Sequence, residues 1–445
     1  MPVPEDDENV VPLRPIKKRV GGFKANELEV GKILQDEPLL GMGKMFRLNT
    51  FSGDVEMTMP ILRPWAVKPP RKFKEHDLSD TDVTHLIEWL YAAGAKGDVS
   101  RQRVGHAIQA AAEENPYSSA QAALDRLPAW DEIDRIARFF REVCGAQVAE
   151  EGMSEEEIHD RQLYLEAVAR CFFLSMVARI LRPGCKVDTT VILEGAQGTR
   201  KSSLLRILAF DQDRWFSDSM ADDLANKDAR VHLRGKLIIE LAEMSQLRSS
   251  KVESLKKFLS AQDDKYRPPY GKGEVTYHRQ CVFVGTTNAV NYLVDETGNR
   301  RFWPIACGVI DLAKAREWRD QLFAEALHRL RREEHWWLSD AEEAIAKGEQ
   351  RERTVDDTWL PAARKLLEKA RAFPEPADAS TVWVTVNEVF EALQIPHDRR
   401  SRDAASRVRS ILRELGGILK HLPRGRDGES WPDRGYRFIV SERKK

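Results

Sequence analysis

The residues best equipped for chemistry in this 445-residue chain lie between positions 195 and 301. Gly195, Gln197, Gly198, Thr199, Arg200, Lys201, Ser202 and Ser203 sit between an apolar run, Val191 to Leu193, and a helical pattern, Ser202 to Leu208. A Gly-containing turn in that setting aims backbone N–H groups and the start of a helix at an anion. Against the pattern G-x-x-x-x-G-K-[ST], Lys201 is the residue that neutralises β- and γ-phosphate charge, and the Ser202 hydroxyl is the ligand for magnesium. One position departs from it. The pattern places Gly directly before Lys, whereas here Arg200 stands there and the nearest glycine is Gly198. The plainer alternative is an ordinary Gly turn ahead of a core helix; the strand-and-helix setting favours the phosphate loop.

Two further apolar runs carry polar tips. Leu237 to Leu241 ends among Glu240 and Glu243. Acids at the tip of a buried strand are costly without a cation. A magnesium ion and a water nucleophile give both carboxylates work, one in the metal shell and one polarising the water. Spacing does not say which does which, and two solvated acids on the next helix would look the same. Cys281 to Val284 runs on to Thr286, Thr287 and Asn288. An amide there can orient the attacking water, although Asn after a strand is also a common turn residue. Arg300 and Arg301 precede an apolar stretch. An arginine so placed suits a finger that stabilises transition-state charge, and a surface pair is the alternative.

In order, EGAQGTRKSS, LIIELAEM, FVGTTN and GNRRFWPI resemble the virulence-associated E family, phage- and island-encoded ATPases akin to superfamily 3 helicases and to the helicase halves of poxvirus-type primase-helicases. The resemblance continues upstream through NPYSSAQAALDRLPAWDEIDRI and MVARILRPGCKVD and downstream through WRDQLFAEA, so it covers roughly Asn115 to Ala326. It implies an AAA+-like sheet and a homo-hexameric ring acting on single-stranded or forked DNA. It implies that Lys201 and Ser202 bind phosphate and magnesium, with Glu240 also in the metal shell. Glu240 and Glu243 then form the Walker B element, Asn288 is sensor 1, and Arg300 or Arg301 is the finger. Superfamily 3 enzymes also carry a pore hairpin between Walker B and sensor 1. Here that segment offers Arg267 and Lys272 for phosphate and Tyr266 and Tyr270 for stacking, worth about 1–3 kcal/mol per base. A Pro-Gly turn with exposed tyrosines is the alternative. The stretch before Leu78 is too short for a primase, so a separate primase or replication protein is the expected partner.

The bulk of the chain must position these groups. Its length calls for two to four domains. Composition is 42% hydrophobic and 32% charged with a net charge of −1, so any basic patch is local. Five cysteines with no CxxC pair argue against a disulfide framework or a zinc site and fit the cytoplasm. Leu163 to Leu181 is the most apolar stretch, but Glu166, Arg170 and Arg179 inside it make it a buried core helix and leave no membrane span. No signal-peptide pattern opens the chain.

Residues 1–27 read as a flexible tail. Residues 28–77 hold a small hairpin around Ser52, Gly53 and Asp54, and residues 78–155 a helical domain with helices over 82–90, 104–114 and 133–143. The ATPase domain spans 156–337, a helical linker 338–381, and a last unit 382–445. In that unit Thr385 to Leu393 and Arg402 to Leu415 read as helices, and Ile418 to His421 and Tyr436 to Val440 as the strands of a winged helix. Residues 398–445 carry fourteen Lys or Arg against seven Asp or Glu. Arg402, Arg407, Arg409, Arg424 and Arg426 are candidates for phosphate contacts, and a protein-docking face is the alternative.

The expected fold is therefore α/β: an AAA+-like P-loop ATPase core, a mainly helical N-terminal region and a C-terminal winged-helix domain. The expected function is ATP-dependent DNA helicase or translocase activity in replication of a phage or integrated mobile element, with ATP and Mg2+. An ATP-switched DNA-binding regulatory ATPase that never unwinds is the second reading. A metabolic P-loop kinase is disfavoured, because it would not call for paired arginines, tyrosines in a turn and a basic C-terminal unit.

Overall fold

The structure, a computed structural model, describes residues 45–61, 73–150, 153–210, 213–219, 226–242, 249–267, 273–289, 299–353, 359–369 and 381–400. Shorter described pieces lie at 23–24, 26, 30, 292–293, 404–405, 408–409, 411–412, 415, 418–421 and 434–439. The chain divides into two compact units, one of residues 1–290 and 297–353, the other of 291–296 and 354–445.

The first unit opens with the expected hairpin. Strand β1 (Phe46–Asn49) pairs antiparallel with β2 (Val55–Met57), and Gly53 turns the chain between them at φ 75°. Glycine adopts this left-handed backbone at no steric cost, and the movable Arg234 guanidinium lies where a Cβ on Gly53 would stand. Strand β3 (His76–Asp77) extends the sheet beyond β2. Helices α1 (Asp80–Ala92) and α2 (Arg101–Glu113) start at Ser79 and Ser100, whose side chains accept from the backbone N–H groups of Asp82 and Arg103. Strand β4 (Pro116–Tyr117) returns parallel to β1. Phe46 and Met57 of the hairpin pack with Leu86, Leu90, Val104 and Ile108 of the helices, so the segments on either side of residue 78 share one core. Within the stretch read as a tail, Phe23–Lys24 pairs in parallel with Ala95–Lys96.

Helix α3 (Ser119–Asp125) leads into the second core. The helix expected over 133–143 is corrected here: only α4 (Phe139–Glu142) forms. The N–H groups of Arg135 and Ile136 instead donate to Glu325 Oε2, at 2.8 and 3.1 Å, and that of Ala137 to Asp134. Side-chain acceptors take the place of a helical ladder. Helix α5 (Glu155–Leu181) is the buried helix read from Leu163 to Leu181, started by a Ser154–Glu157 capping box. Its Arg179 is fully buried and donates to the carbonyls of Val187 and Arg279, both at 3.1 Å. Among the described residues no helix is long and apolar enough to cross a membrane.

The central sheet then follows: β5 (Thr190–Glu194), α6 (Lys201–Leu208), β6 (Phe216–Ser217), α7 (Lys227–Val231), β7 (Ile238–Leu241), α8 (Ser249–Leu259), the hairpin strands β8 (Asp263–Tyr266) and β9 (Val275–His278), β10 (Val282–Thr287), β11 (Phe302–Ala306), α9 (Leu312–Arg331) and α10 (Asp340–Glu352). Five strands lie parallel in the order β11-β5-β10-β7-β6. Their residues are almost all buried, which is why they read as unbroken apolar runs and not as alternation. Pro304 is tolerated because β11 is the edge strand. Its carbonyl accepts from the buried Tyr164 hydroxyl at 3.0 Å. Helix α10, in the stretch read as a linker, packs against α5 and β11.

The second unit holds α11 (Leu360–Lys369), β12 (Thr381–Val384), α12 (Val386–Ala392), β13 (Ile418–His421) and β14 (Arg434–Ile439). The strands form an antiparallel sheet in the order β12-β14-β13. Val408, Ile411 and Leu412, within the stretch Arg402 to Leu415 read as a helix, are buried with Val384, Val389 and Phe390.

Candidate functional site

The carboxyl ends of β5, β7 and β10 adjoin, because β10 pairs with both of the others. In open parallel sheets that end is where ligands bind. The loop leaving β5 turns at Gly195 (φ 148°), where a Cβ would stand 3.0 Å from the Cys307 carbonyl, and again at Gly198 (φ 85°). Arg200 then holds φ 68° and ψ 26° as the N-cap of α6. The left-handed backbone that the phosphate-loop pattern meets with glycine is thus present, carried by an arginine at a cost on the order of 1 kcal/mol.

Lys201 folds its ammonium into this loop. Nζ donates to the carbonyls of Gly195 and Ala196 at 2.6 and 3.1 Å, and to Thr199 Oγ1 and Asn288 Oδ1, both at 3.2 Å. Burial lowers its pKa from the ordinary 10.5, against opposing pulls from Cys307 and Glu240. Glu240 is 2% exposed on β7. Its Oε1 accepts from Ser202 Oγ at 2.8 Å and from Thr286 Oγ1 at 2.7 Å, while Oε2 is buried with no hydrogen-bond partner among the described residues. A buried carboxylate oxygen without a donor, next to two hydroxyls, suits a hard divalent cation; Ser202 and Glu240 are the residues that could hold it.

A cleft of about 390 Å3 opens over these groups, and Gln197, Gly198, Thr199, Arg200, Ser203 and Asn288 line it together with Lys201, Ser202 and Glu240. The structure therefore brings together the loop, one acid and the amide picked out from sequence. Glu243 lies outside the described residues. Thr286 was missed. Its signal is a hydroxyl in a buried strand, where a polar atom needs a partner.

Other candidates lie elsewhere. Arg300 and Arg301 do not line this cleft; Arg300 is exposed, and Arg301 Nε donates to Ser260 Oγ at 3.2 Å. The β8–β9 pair is the hairpin expected between the two motifs, and Arg267 is exposed just past β8. Tyr266 is a correction. It is 4% exposed and stacks on Tyr277 with ring centroids 4.6 Å apart, so its face is not offered to a base. Tyr270 and Lys272 lie outside the described residues. In the second unit Arg409 is exposed, and Arg402, Arg407, Arg424 and Arg426 lie outside the described residues.

Behind the loop, Glu194 at the end of β5 is held by Arg353, whose Nε donates to its two oxygens at 3.0 and 3.2 Å. Arg353 also grips Glu349 at 2.5 Å, and Glu349 accepts from Arg161 at 3.2 Å. Burial pulls the Arg353 pKa down, but Glu194 and Glu349 more than offset it and raise it.

Residues 124–355, more than half the chain, match the virulence-associated protein E-like domain. The chain belongs to the virulence-associated protein E-like family. Similar solved structures include the A form apo structure of the NrS-1 C-terminal region (305–718), 12% identical over 94% of this chain and 100% of that one, with a TM-score of 0.43. Another is the apo structure of the same region, 11% identical over 94% and 99%, with a TM-score of 0.43. No curated protein matches.

Proposed function

We propose that this chain is a P-loop ATPase of AAA+ type that works on DNA as a ring-forming helicase or translocase in replication of a phage or mobile element. The observation that carries this reading is the convergence, from three neighbouring strands, of Lys201, of Ser202 bonded to Glu240, and of Asn288 on one cleft. Each has a place in phosphoryl transfer. The loop N–H groups and Lys201 take the phosphates, Ser202 and Glu240 hold magnesium, and Asn288 steadies the attacking water. Magnesium, when bound, supplies charge neutralisation between the phosphates.

Arg300 or Arg301, neither of which lines its own chain's cleft, serves a neighbour's site. The segment between β8 and β9, which includes Arg267, Tyr270 and Lys272, contacts single-stranded DNA, and the second unit, basic over residues 398–445, is a winged helix that contacts DNA phosphates through Arg402, Arg407, Arg409, Arg424 and Arg426.

The test is ATP hydrolysis with and without single-stranded DNA, for the wild type, Lys201→Ala and Lys272→Ala, at two salt concentrations. The motor reading requires DNA stimulation that both variants lose and salt weakens. Hydrolysis that Lys201→Ala leaves unchanged rejects the ATPase assignment. Hydrolysis indifferent to DNA leaves an ATP switch in place of a motor.

A further inference from the structure

Arg200 is costly where it stands, and nothing local explains it. It holds a left-handed backbone conformation that glycine adopts freely. As the N-cap of α6 it supplies no side-chain capping bond, which Ser, Thr, Asn or Asp would. Arg200 is exposed and is one of the residues that line the cleft, and its side chain has no hydrogen-bond or ion-pair partner among the described residues. Lys201, next in sequence, is drawn inward onto the loop's own carbonyls and Asn288. The two adjacent cationic residues therefore differ: the Lys201 ammonium is engaged inside the loop, while Arg200, exposed on the lining of the same cleft, is left uncommitted. An outlier kept at such a site points to use.

We infer that Arg200 is a catalytic residue that stabilises the phosphoryl group in transit, supplied by the same chain that binds the nucleotide. This rests on the ATPase reading above. A guanidinium stays charged at all working pH values and offers paired donors that match terminal phosphoryl oxygens. In the step it serves, a water oxygen bonds to the γ-phosphorus as the bond to the bridging oxygen breaks, and that electron pair remains on ADP. One water proton stays with the released phosphate and the other leaves to solvent. Arg200 forms no covalent bond and takes no part in the proton transfer. Part of the charge stabilisation then resides within each subunit, and Arg300 or Arg301 of a neighbour adds to it.

The test compares affinity for ADP with affinity for ADP plus aluminium fluoride, a mimic of the phosphoryl group in transit, each with magnesium, by calorimetry on the full chain. Variants are Arg200→Gly, Arg200→Lys and, as control for the site itself, Lys201→Ala, with thermal melts to check folding. Arg200→Gly should melt no lower than the wild type, because it relaxes the backbone. It should lose at least about tenfold of the affinity gained on adding fluoride, and Arg200→Lys should keep part of that gain. An undiminished gain in Arg200→Gly, with ADP binding still sensitive to Lys201→Ala, overturns the role of Arg200 alone. Failure of the wild type to bind ADP overturns the nucleotide reading, and this inference with it.

Discussion

The hydroxyl of Ser202, at the start of α6, lies 2.8 Å from Oε1 of Glu240, on a strand that begins thirty-six residues later. That contact joins the loop to the acid across two strands that are not sheet neighbours, and it leaves the other oxygen of Glu240 without a partner among the described residues. Glu240→Gln keeps the shape and removes the charge. Hydrolysis should fall on the order of 100-fold, the scale of one lost contact in a preorganised site. Nucleotide binding should also lose its dependence on magnesium, read by titrating ADP with and without the metal. Magnesium dependence equal to that of the wild type would remove Glu240 from the metal shell.

Lys201 should leave a mark on stability at alkaline pH. Burial lowers its folded-state pKa from 10.5, so between that lowered value and 10.5 the unfolded chain binds more protons than the folded one. Stability contributed by this group therefore rises with pH through that window. Denaturant melts across the alkaline range should show the gain in the wild type and not in Lys201→Met. Nucleotide affinity should move the opposite way, weakening as the ammonium loses its proton.

Glu325 holds two distant segments together. Fully buried on α9, it accepts from the N–H groups of Arg135 and Ile136 and from Arg329. Glu325→Ala strands these donors and should cost about 3 kcal/mol, the lower end for breaking a buried pair. Glu325→Gln keeps an acceptor and should cost less. Urea unfolding measures both, and equal losses would show that the carboxylate charge, and neither the cavity nor a neutral acceptor, sets the cost.

Tyr266 and Lys272 should behave differently although both sit in the hairpin segment. Because the Tyr266 ring is packed on Tyr277, Tyr266→Phe should leave DNA stimulation of hydrolysis within about twofold, whereas Lys272→Ala should abolish it. A loss on Tyr266→Phe as large as that on Lys272→Ala would mean that the tyrosine hydroxyl reaches DNA.

The loop, three of the five sheet strands and Asn288 were legible because each is a local pattern: an apolar run, a turn, a polar tip. What escaped depends on partners far along the chain. Periodicity over 133–143 promised a helix, and Glu325, about 190 residues away, takes the N–H groups that helix would have used. Strand β6 is too short for any period to register. Tyr266 was readable in principle. Along β8 exposure alternates, with Asp264 and Tyr266 buried and Asp263 and Lys265 exposed, so strand parity would have turned the tyrosine inward. Thr286 is readable as a hydroxyl in a buried run, but its partner Glu240 follows only from which strand lies beside β10.

The ion pair between Glu194 and Arg353 has a mechanical consequence. Arg353 ends the first unit, and the chain passes to the second at Thr354. The carboxylate that Arg353 grips is one residue ahead of Gly195. A pull that reaches Arg353 is passed, through this salt bridge, to the strand that feeds the loop. Load at Arg353 and the geometry of the loop are thereby linked through one side chain.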